Sequence, residues 1–419
     1  MKLQLHWKIF IGMALGVIAG WFLGQAGIQP GFATTASVQI LEGMKMVGDL
    51  FIRMLKLIAV PLIFAQLTLG VFSIGDVKKL GRLGWKTFLY FSLTTMVSVG
   101  IGLTLVNVIE PGVGADLGLA EVPKNVAEKG VKDLILNLVP ENVFQSLANT
   151  DVLGIVFFSL LFGFILATIP EKSAVVVGFL DGVNAAMLKM TGLIMKIAPL
   201  CVFALMGYTV GRQGLDVLFS LGKYMLTVIS GLVINAFLVL PLLLSVLGGY
   251  SPARFFRGMS TALATAFSTS SSAASLPITL ESVEKRVGVH PNIVGFVMPL
   301  GATINQNGTA LYESVAAMFI AQAYGIPMTL EKQFMVFFTA ALTSIGATGI
   351  PAAGLVTLAL VLKAVGLPLE GIGIILAVDR ILDMCRTTVN VQGDAIGAVI
   401  IARSENLLIP VSEEQLSAA

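Results

Sequence analysis

The sequence predicts an all-α integral membrane protein in which full apolar spans are accompanied by two interrupted apolar segments. Three observations carry that prediction. The 419 residues are 56% hydrophobic and only 12% charged, with a mean hydropathy of +0.92, whereas soluble domains carry about 25% charged residues. Apolar stretches of about 20 residues, enough to cross a bilayer, recur along the chain. Finally, one polar stripe runs down an otherwise apolar helix: Asp379-Arg-Ile-Leu-Asp383-Met-Cys-Arg386-Thr387-Thr-Val-Asn390-Val-Gln-Gly-Asp394. At about 100° per residue, Asp379, Asp383, Arg386, Thr387, Asn390 and Asp394 share an arc of roughly 100°. Ionisable groups at membrane depth are costly, so such a stripe faces a protein interior or a water-filled cavity and marks a substrate or ion path. A charged surface helix of a soluble protein is the alternative, but residues 371–378 and 395–402 offer water no other polar face.

Taken in order, the first apolar run (9–23) follows Lys2, His6 and Lys8 without a clear cleavage pattern, which predicts a retained first helix. Spans are expected near 9–28, 44–73, 85–109, 151–169, 179–210 and 216–248, two of them long enough to tilt. The linker 76–86 carries Lys78, Lys79, Arg82 and Lys86, while residues 24–36 carry no charge. The positive-inside rule therefore places the N-terminus and this linker in the cytoplasm. Residues 110–141, with mixed charge and Pro111, Pro123 and Pro140, read as an external excursion.

Two later segments are built differently. Residues 251–283 are apolar but broken by Ser268-Thr-Ser-Ser-Ser-Ala-Ala-Ser-Leu-Pro277, and residues 329–366 by Ser344-Ile-Gly-Ala-Thr-Gly-Ile-Pro-Ala-Ala-Gly354. Each half is too short to cross alone, which suggests re-entrant hairpins whose open backbone lines a cavity. A pair of such segments points to a transporter binding site; ordinary loops between short helices are the alternative. Between them, an apolar helix (290–323) is broken at Gly301-Ala-Thr303-Ile-Asn305-Gln306-Asn307-Gly308-Thr309, exposing the oxygen ligands that hard cations require. Glu313, one turn further on, is cheaper to bury as the acid than as the anion. It is a candidate proton carrier, or else a passive charge facing an aqueous vestibule.

Other chemistries find no support. A net charge of +2 with no basic patch interleaved with aromatics predicts no nucleic-acid partner. Cys201 and Cys385 lie in apolar helices and read as small hydrophobes, and His6 and His290 form no cluster, so no transition metal or other cofactor is expected. The serine run 270–272 has no histidine or lysine base in its segment, so no enzyme is expected.

The serine-rich tip, Gly301-Ala-Thr303-Ile-Asn305-x-x-Gly308-Thr309-Ala-Leu-Tyr312, Ser344-Ile345-Gly-Ala and Asp383-x-x-Arg386-Thr387-x-Val-Asn390-Val-x-Gly-Asp394 together resemble the glutamate transporter family, the dicarboxylate/amino acid:cation symporters. The similarity runs from the first helix to about Ser404. It implies eight transmembrane helices plus two re-entrant helical hairpins, a homotrimer, and an elevator-type transporter in a bacterial or archaeal cell membrane with both termini cytoplasmic. Segments 1–75 and 111–212 would form a scaffold. Segments 76–110 and 213–419 would form the mobile transport domain, gated by the second hairpin. The resemblance further implies that Arg386 takes the substrate's side-chain carboxylate and Asp383 its ammonium, with Thr387 in support. Asn390 would bind the main carboxylate with backbone at Ser271, Ser272 and the tip from Ile350 to Gly354, and Thr309 would contact substrate from the broken helix. The cargo implied is L-aspartate or L-glutamate. Gly301, Thr303, Asn305, Asn307, Ser344, Ile345, Asn390 and Asp394 are the implied cation ligands, and Glu313 matches the family's proton carrier.

The departures concern ions. Sodium-coupled members carry Asp where this chain has Asn307, and tyrosine where it has Phe91; Thr94 and Thr95 remain, and Ala347 replaces a hydroxyl found in some members. Sodium coupling is therefore expected to be reduced or absent, and the coupling cation is either H+ or Na+, with the proton as the natural substitute; a fully sodium-coupled amino acid or dicarboxylate symporter is the alternative. Ser270 and Met384 stand where the family places an arginine near Asp383, and Arg380 is a candidate substitute. Outside this class, an anion channel or a non-transporting binding protein remain as competing readings.

Overall fold

Residues 5–27, 32–73, 77–115, 139–149, 152–345 and 353–411 are described by the computed structural model, and nearly all are helical. In chain order the helices are α1 (Leu5–Gly27), α2 (Phe32–Ser73), α3 (Val77–Ile109), α4 (Val143–Asn149), α5 (Val152–Thr168), α6 (Pro170–Gln213), α7 (Asp216–Ile234) and α8 (Leu240–Val246). They continue with α9 (Pro252–Thr269), α10 (Ser272–Glu281), α11 (Pro291–Ile304), α12 (Asn307–Ala323), α13 (Leu330–Ser344), α14 (Ala353–Ala364) and α15 (Gly371–Ser404). The single described β-bridge, Val289 with Leu408, ties the chain after α15 to the α10–α11 connection.

Arg82–Ile109, Pro170–Ile194 and Leu218–Val246 are each long and apolar enough to cross a membrane unaided. The other expected spans are helical too, but their apolar windows are shorter. In α2 the charges Lys45, Asp49, Arg53 and Lys56 confine the window to Val60–Phe72. At 42 and 44 residues, α2 and α6 run to about 65 Å at 1.5 Å per residue, roughly twice a bilayer's hydrocarbon thickness. Their outward faces carry Leu57, Val175, Phe179 and Leu200, large apolar groups that a solvent-facing helix would not keep together. The basic residues expected in a loop lie instead on the first turns of α3, which begins at Val77. There Arg82 and Lys86 both pair with Glu405, just past the end of α15, with Lys86 Nζ 2.6 Å from Oε1.

Helix α1 packs along α6 through glycines four residues apart. Gly12, Gly16, Gly20 and Gly24 face the backbone carbonyls of Pro199, Phe203, Gly207 and Gly211, and a Cβ at Gly24 would sit 2.7 Å from the Gly211 oxygen. Only a residue without a side chain allows that approach, as in membrane helices that pack through small residues. Helices α1, α2, α5 and α6 pack mainly on one another. Helices α3, α7, α13 and α14 pack on α12, in which every residue from Asn307 to Ala321 is buried, while α9, α10 and α11 pack on α15, which itself lies against α12.

Both interrupted segments form helix pairs. In the first, the break contracts to Ser270 and Ser271, and Pro277 is accommodated inside α10. Ser270 adopts the left-handed conformation (φ 50°, ψ 39°), and Ser271 caps α10 by accepting from the Ala274 N–H at 3.1 Å. Capping explains the economy: one serine ends a helix and the next begins another. In the second pair, α13 ends at Ser344 and α14 begins at Ala353. Its expected tip, including Ala347 and Ile350, lies outside the described residues, as do residues 116–138 of the expected external excursion.

Candidate functional site

The polar stripe of α15 turns inward, against the α11–α12 break and α14. Helix α11 ends at Ile304, Asn305 is extended (φ −85°, ψ 94°), and α12 resumes at Asn307, so the break spans two residues rather than the whole polar run. Asp379, Arg380, Asp383, Arg386, Thr387, Asn390 and Asp394 are all buried.

At its centre lies Arg386, only 1% exposed. Its Nη1 is 2.9 Å from Asp379 Oδ1, and its Nε and Nη2 are 3.0 and 2.9 Å from Asp383 Oδ1. Arg380 approaches the other oxygen of Asp383, with Nη1 3.5 Å from Oδ2. The four ionic groups thus form a neutral network, the arrangement in which a buried charge escapes the large cost of standing unpaired. The Tyr312 ring supports the guanidinium from one side, its centroid 4.2 Å from Cζ. Gly354 approaches it as well, and a Cβ there would lie 2.9 Å from Cζ. The arginine plane is fixed by carboxylates, an aromatic face and bare backbone.

One turn away, Asn390 joins α15 to the helix break. Its Oδ1 accepts from the Gly308 N–H at 2.7 Å, and its Nδ2 donates to Gln306 Oε1 at 2.6 Å and Thr309 Oγ1 at 3.1 Å. Gly308 fits there because a Cβ would strike the Arg386 carbonyl, 2.6 Å away. Ser271 and Ser272 are buried at the α9–α10 turn, beside the orphaned hydroxyl of Ser270.

The expected cation ligands divide. Asp394 accepts from Asn305 Nδ2 at 2.8 Å, and the same amide donates to the Asn390 carbonyl at 3.2 Å. Gly301 adjoins this group, a Cβ there lying 2.6 Å from Asp394 Oδ1. Asn307 is beside it at Gly393, where a Cβ would lie 2.6 Å from Asn307 Nδ2. Asn305 Oδ1 and Asn307 Nδ2 are buried without a partner. Phe91 packs its ring against Gly301 and Gly397, and Thr94 turns its hydroxyl back to the Tyr90 carbonyl at 2.9 Å. Thr303 stands apart from the group: its hydroxyl donates to the Pro299 carbonyl at 3.1 Å and its methyl faces Gly70 of α2. Ser344 donates to the Ala341 carbonyl at 3.1 Å, and the Ile345 side chain packs into a cluster with Leu67 and Ile155. Among the described residues, no group of His, Cys, Asp and Glu could hold a metal ion.

Glu313 is fully buried in α12. Its carboxyl accepts from Thr343 of α13 at 3.1 Å and from Thr357 of α14, so one side chain bridges both helices of the second pair. It has no solvent contact in this arrangement.

The sequence places Asp379 on the stripe without a partner and gives no role to Tyr312, Gln306, Thr343 or Thr357. A signal existed for two of them: Gln306, Thr309 and Tyr312 follow one another at a spacing of three, which places neighbours on one helix face.

The model of the sodium:dicarboxylate symporter family matches residues 5–404. A proton/sodium-glutamate symport protein of Bacillus subtilis is 37% identical over 99% of this chain and 95% of its own length. A proton/glutamate-aspartate symporter of Escherichia coli is 36% identical over 97% and 94%. A C4-dicarboxylate transport protein of Bacillus subtilis is 36% identical over 87% and 88%. With an inward-facing ionic stripe, apolar spanning helices and these matches over nearly its whole length, the chain belongs to the sodium:dicarboxylate symporter family, whose members are membrane transporters and not enzymes.

Proposed function

We propose that this protein is a secondary active transporter of acidic amino acids, L-aspartate or L-glutamate, driven mainly by protons. The observation that carries the reading is the buried Asp383–Arg386 pair beside Asn390. An acidic amino acid brings an ammonium and a carboxylate of its own. It can exchange them for the two halves of this pair without stranding either charge, whereas breaking a buried pair by removing one partner costs about 3–5 kcal/mol. Asn390, Thr309 and backbone at Ser271, Ser272 and Ile350–Gly354 would hold the main carboxylate, with Thr387 in support. The names of the Bacillus and Escherichia relatives, glutamate and glutamate-aspartate symporters, agree with this cargo.

The reduced sodium dependence rests on the group around Asp394. Asn305 already supplies Asp394 with a neutral donor, Asn307 contributes an amide and no charge, and Phe91 fills its place with carbon. Glu313 then supplies a proton-binding group in contact with both helices of the proposed gate. One observation favours a second reading with residual sodium coupling: Asp394, the Asn390 carbonyl and Gly301 still converge on one point.

The elevator is suggested by the family and supported by the packing; the homotrimer rests on the family alone. Helices α1, α2, α5 and α6 would be the scaffold, with an apolar outer face for lipid and for other copies, and the assembly around α12 and α15 would be the moving part. The two helix pairs would be re-entrant hairpins.

Uptake of labelled L-aspartate into proteoliposomes tests the reading, with proton and sodium gradients compared at matched voltage. Saturable, proton-driven uptake is expected. Steep sodium dependence would overturn the ion assignment. A non-saturating current without uptake would indicate a pore, and saturable binding without counterflow would indicate a non-transporting binding protein.

A further inference from the structure

We propose that Arg380 is a specificity-determining residue: it sets how strictly the site demands an ammonium group on its substrate. The inference rests on the acidic amino acid reading above and deepens it. Around the axis of α15, at about 100° per residue, Asp383 lies between Arg386 on one side and Arg380 on the other, roughly 60° from each. The contacts agree with that placement. Asp383 Oδ1 takes Arg386 Nε and Nη2 at 3.0 and 2.9 Å, and Oδ2 faces Arg380 Nη1 at 3.5 Å. Arg380 is itself buried, at 8% exposure, and its Nε has no hydrogen-bond partner. A buried guanidinium with one long contact and a donor left over can shift to follow Asp383, whereas Arg386 is shared between Asp379, Asp383 and the Tyr312 ring.

This placement changes what a substrate must bring. When an acidic amino acid draws Arg386 towards its side-chain carboxylate, Asp383 needs another cation. The ammonium of the amino acid can be that cation, and so can Arg380. A C4 dicarboxylate without an amino group would strand Asp383 if Arg386 were its sole partner. With Arg380 alongside, Asp383 keeps its compensation and the site tolerates the ammonium-free ligand. Arg380 also brings the ionic network to neutrality, since Asp379 and Asp383 would otherwise outweigh Arg386. A dianion entering a neutral cluster meets less repulsion than one entering a negative cluster.

L-aspartate and succinate differ only in the amino group, so the ratio of their dissociation constants isolates the effect. Both are measured by calorimetry on the purified protein and on Arg380→Met and Arg380→Lys variants. Wild type is expected to bind both. Losing one charge-assisted contact to a buried carboxylate weakens a ligand about tenfold or more. In Arg380→Met the succinate-to-aspartate ratio of dissociation constants should therefore rise about tenfold, with aspartate binding retained, and Arg380→Lys should restore most of the wild-type ratio. An unchanged ratio overturns the inference, as does equal weakening of both ligands, which would signify a structural role only. Aspartate binding by wild type without any succinate binding overturns it too, while leaving the acidic amino acid reading intact. Failure of wild type to bind either ligand overturns that reading and this inference with it.

Discussion

Replacing Gly354 with alanine is a small change aimed at the centre of the site. The added Cβ would stand 2.9 Å from Cζ of Arg386 and 3.0 and 3.1 Å from its two terminal nitrogens. Carbon contacts are comfortable from about 3.5 Å, so the guanidinium must give way by roughly half an ångström. The Tyr312 ring also abuts it, with its centroid 4.2 Å from Cζ, and a shift of the guanidinium strains the 2.9 Å contacts to Asp379 and Asp383. Overpacking costs about 1–3 kcal/mol, and a hydrogen bond to a charged group contributes about 1.5–3 kcal/mol. A penalty of about 2 kcal/mol on the bound state corresponds to an affinity for L-aspartate lowered about thirtyfold. Calorimetric titration of the variant, with a thermal melt to show that it is folded, reads this directly. An affinity within twofold of wild type would refute the close approach of α14 to Arg386 and the substrate role built on it.

Glu313→Gln keeps the two hydroxyl contacts but cannot release a proton; exchange of internal for external substrate should persist while uptake driven by a proton gradient is abolished. Asn307→Asp combined with Phe91→Tyr returns a carboxylate and a hydroxyl to the surroundings of Asp394, and sodium should then raise L-aspartate affinity by at least about tenfold, measured by titration with and without sodium. Gly16→Ala would place a Cβ 2.5 Å from the Phe203 carbonyl oxygen and push α1 off α6. A loss of about 1–3 kcal/mol should appear as a lower melting midpoint with unchanged substrate affinity in the protein that remains folded.

What could be read from the residues in advance was mostly local. The α9–α10 turn was legible because serines cap and terminate helices where they stand, and the α11–α12 break because Asn305 and Gln306 interrupt an apolar run. The stripe on α15 was legible because its period matches one helix face. The rest depends on contacts made across the fold. The basic run at 78–86 resembled a loop by composition, but α3 extends over it and Glu405, distant in sequence, joins two of its charges. Asp379 gains its role from Arg386, which reaches back two turns to it. Gln306 earned no role on its own, since its importance comes from Asn390. Thr303 carried a motif identity yet turns towards α2, because the helix phase before the break decides its direction.

The central claim is that an acidic amino acid binds between Asp383 and Arg386 with protons, rather than sodium, as its principal partner. Calorimetric titration of L-aspartate into the purified protein, with and without sodium and across a range of pH, tests it most directly. The account predicts binding in sodium-free buffer that tightens as the pH is lowered and changes little when sodium is added. Binding that is undetectable without sodium, rises steeply with sodium concentration and ignores pH would contradict it.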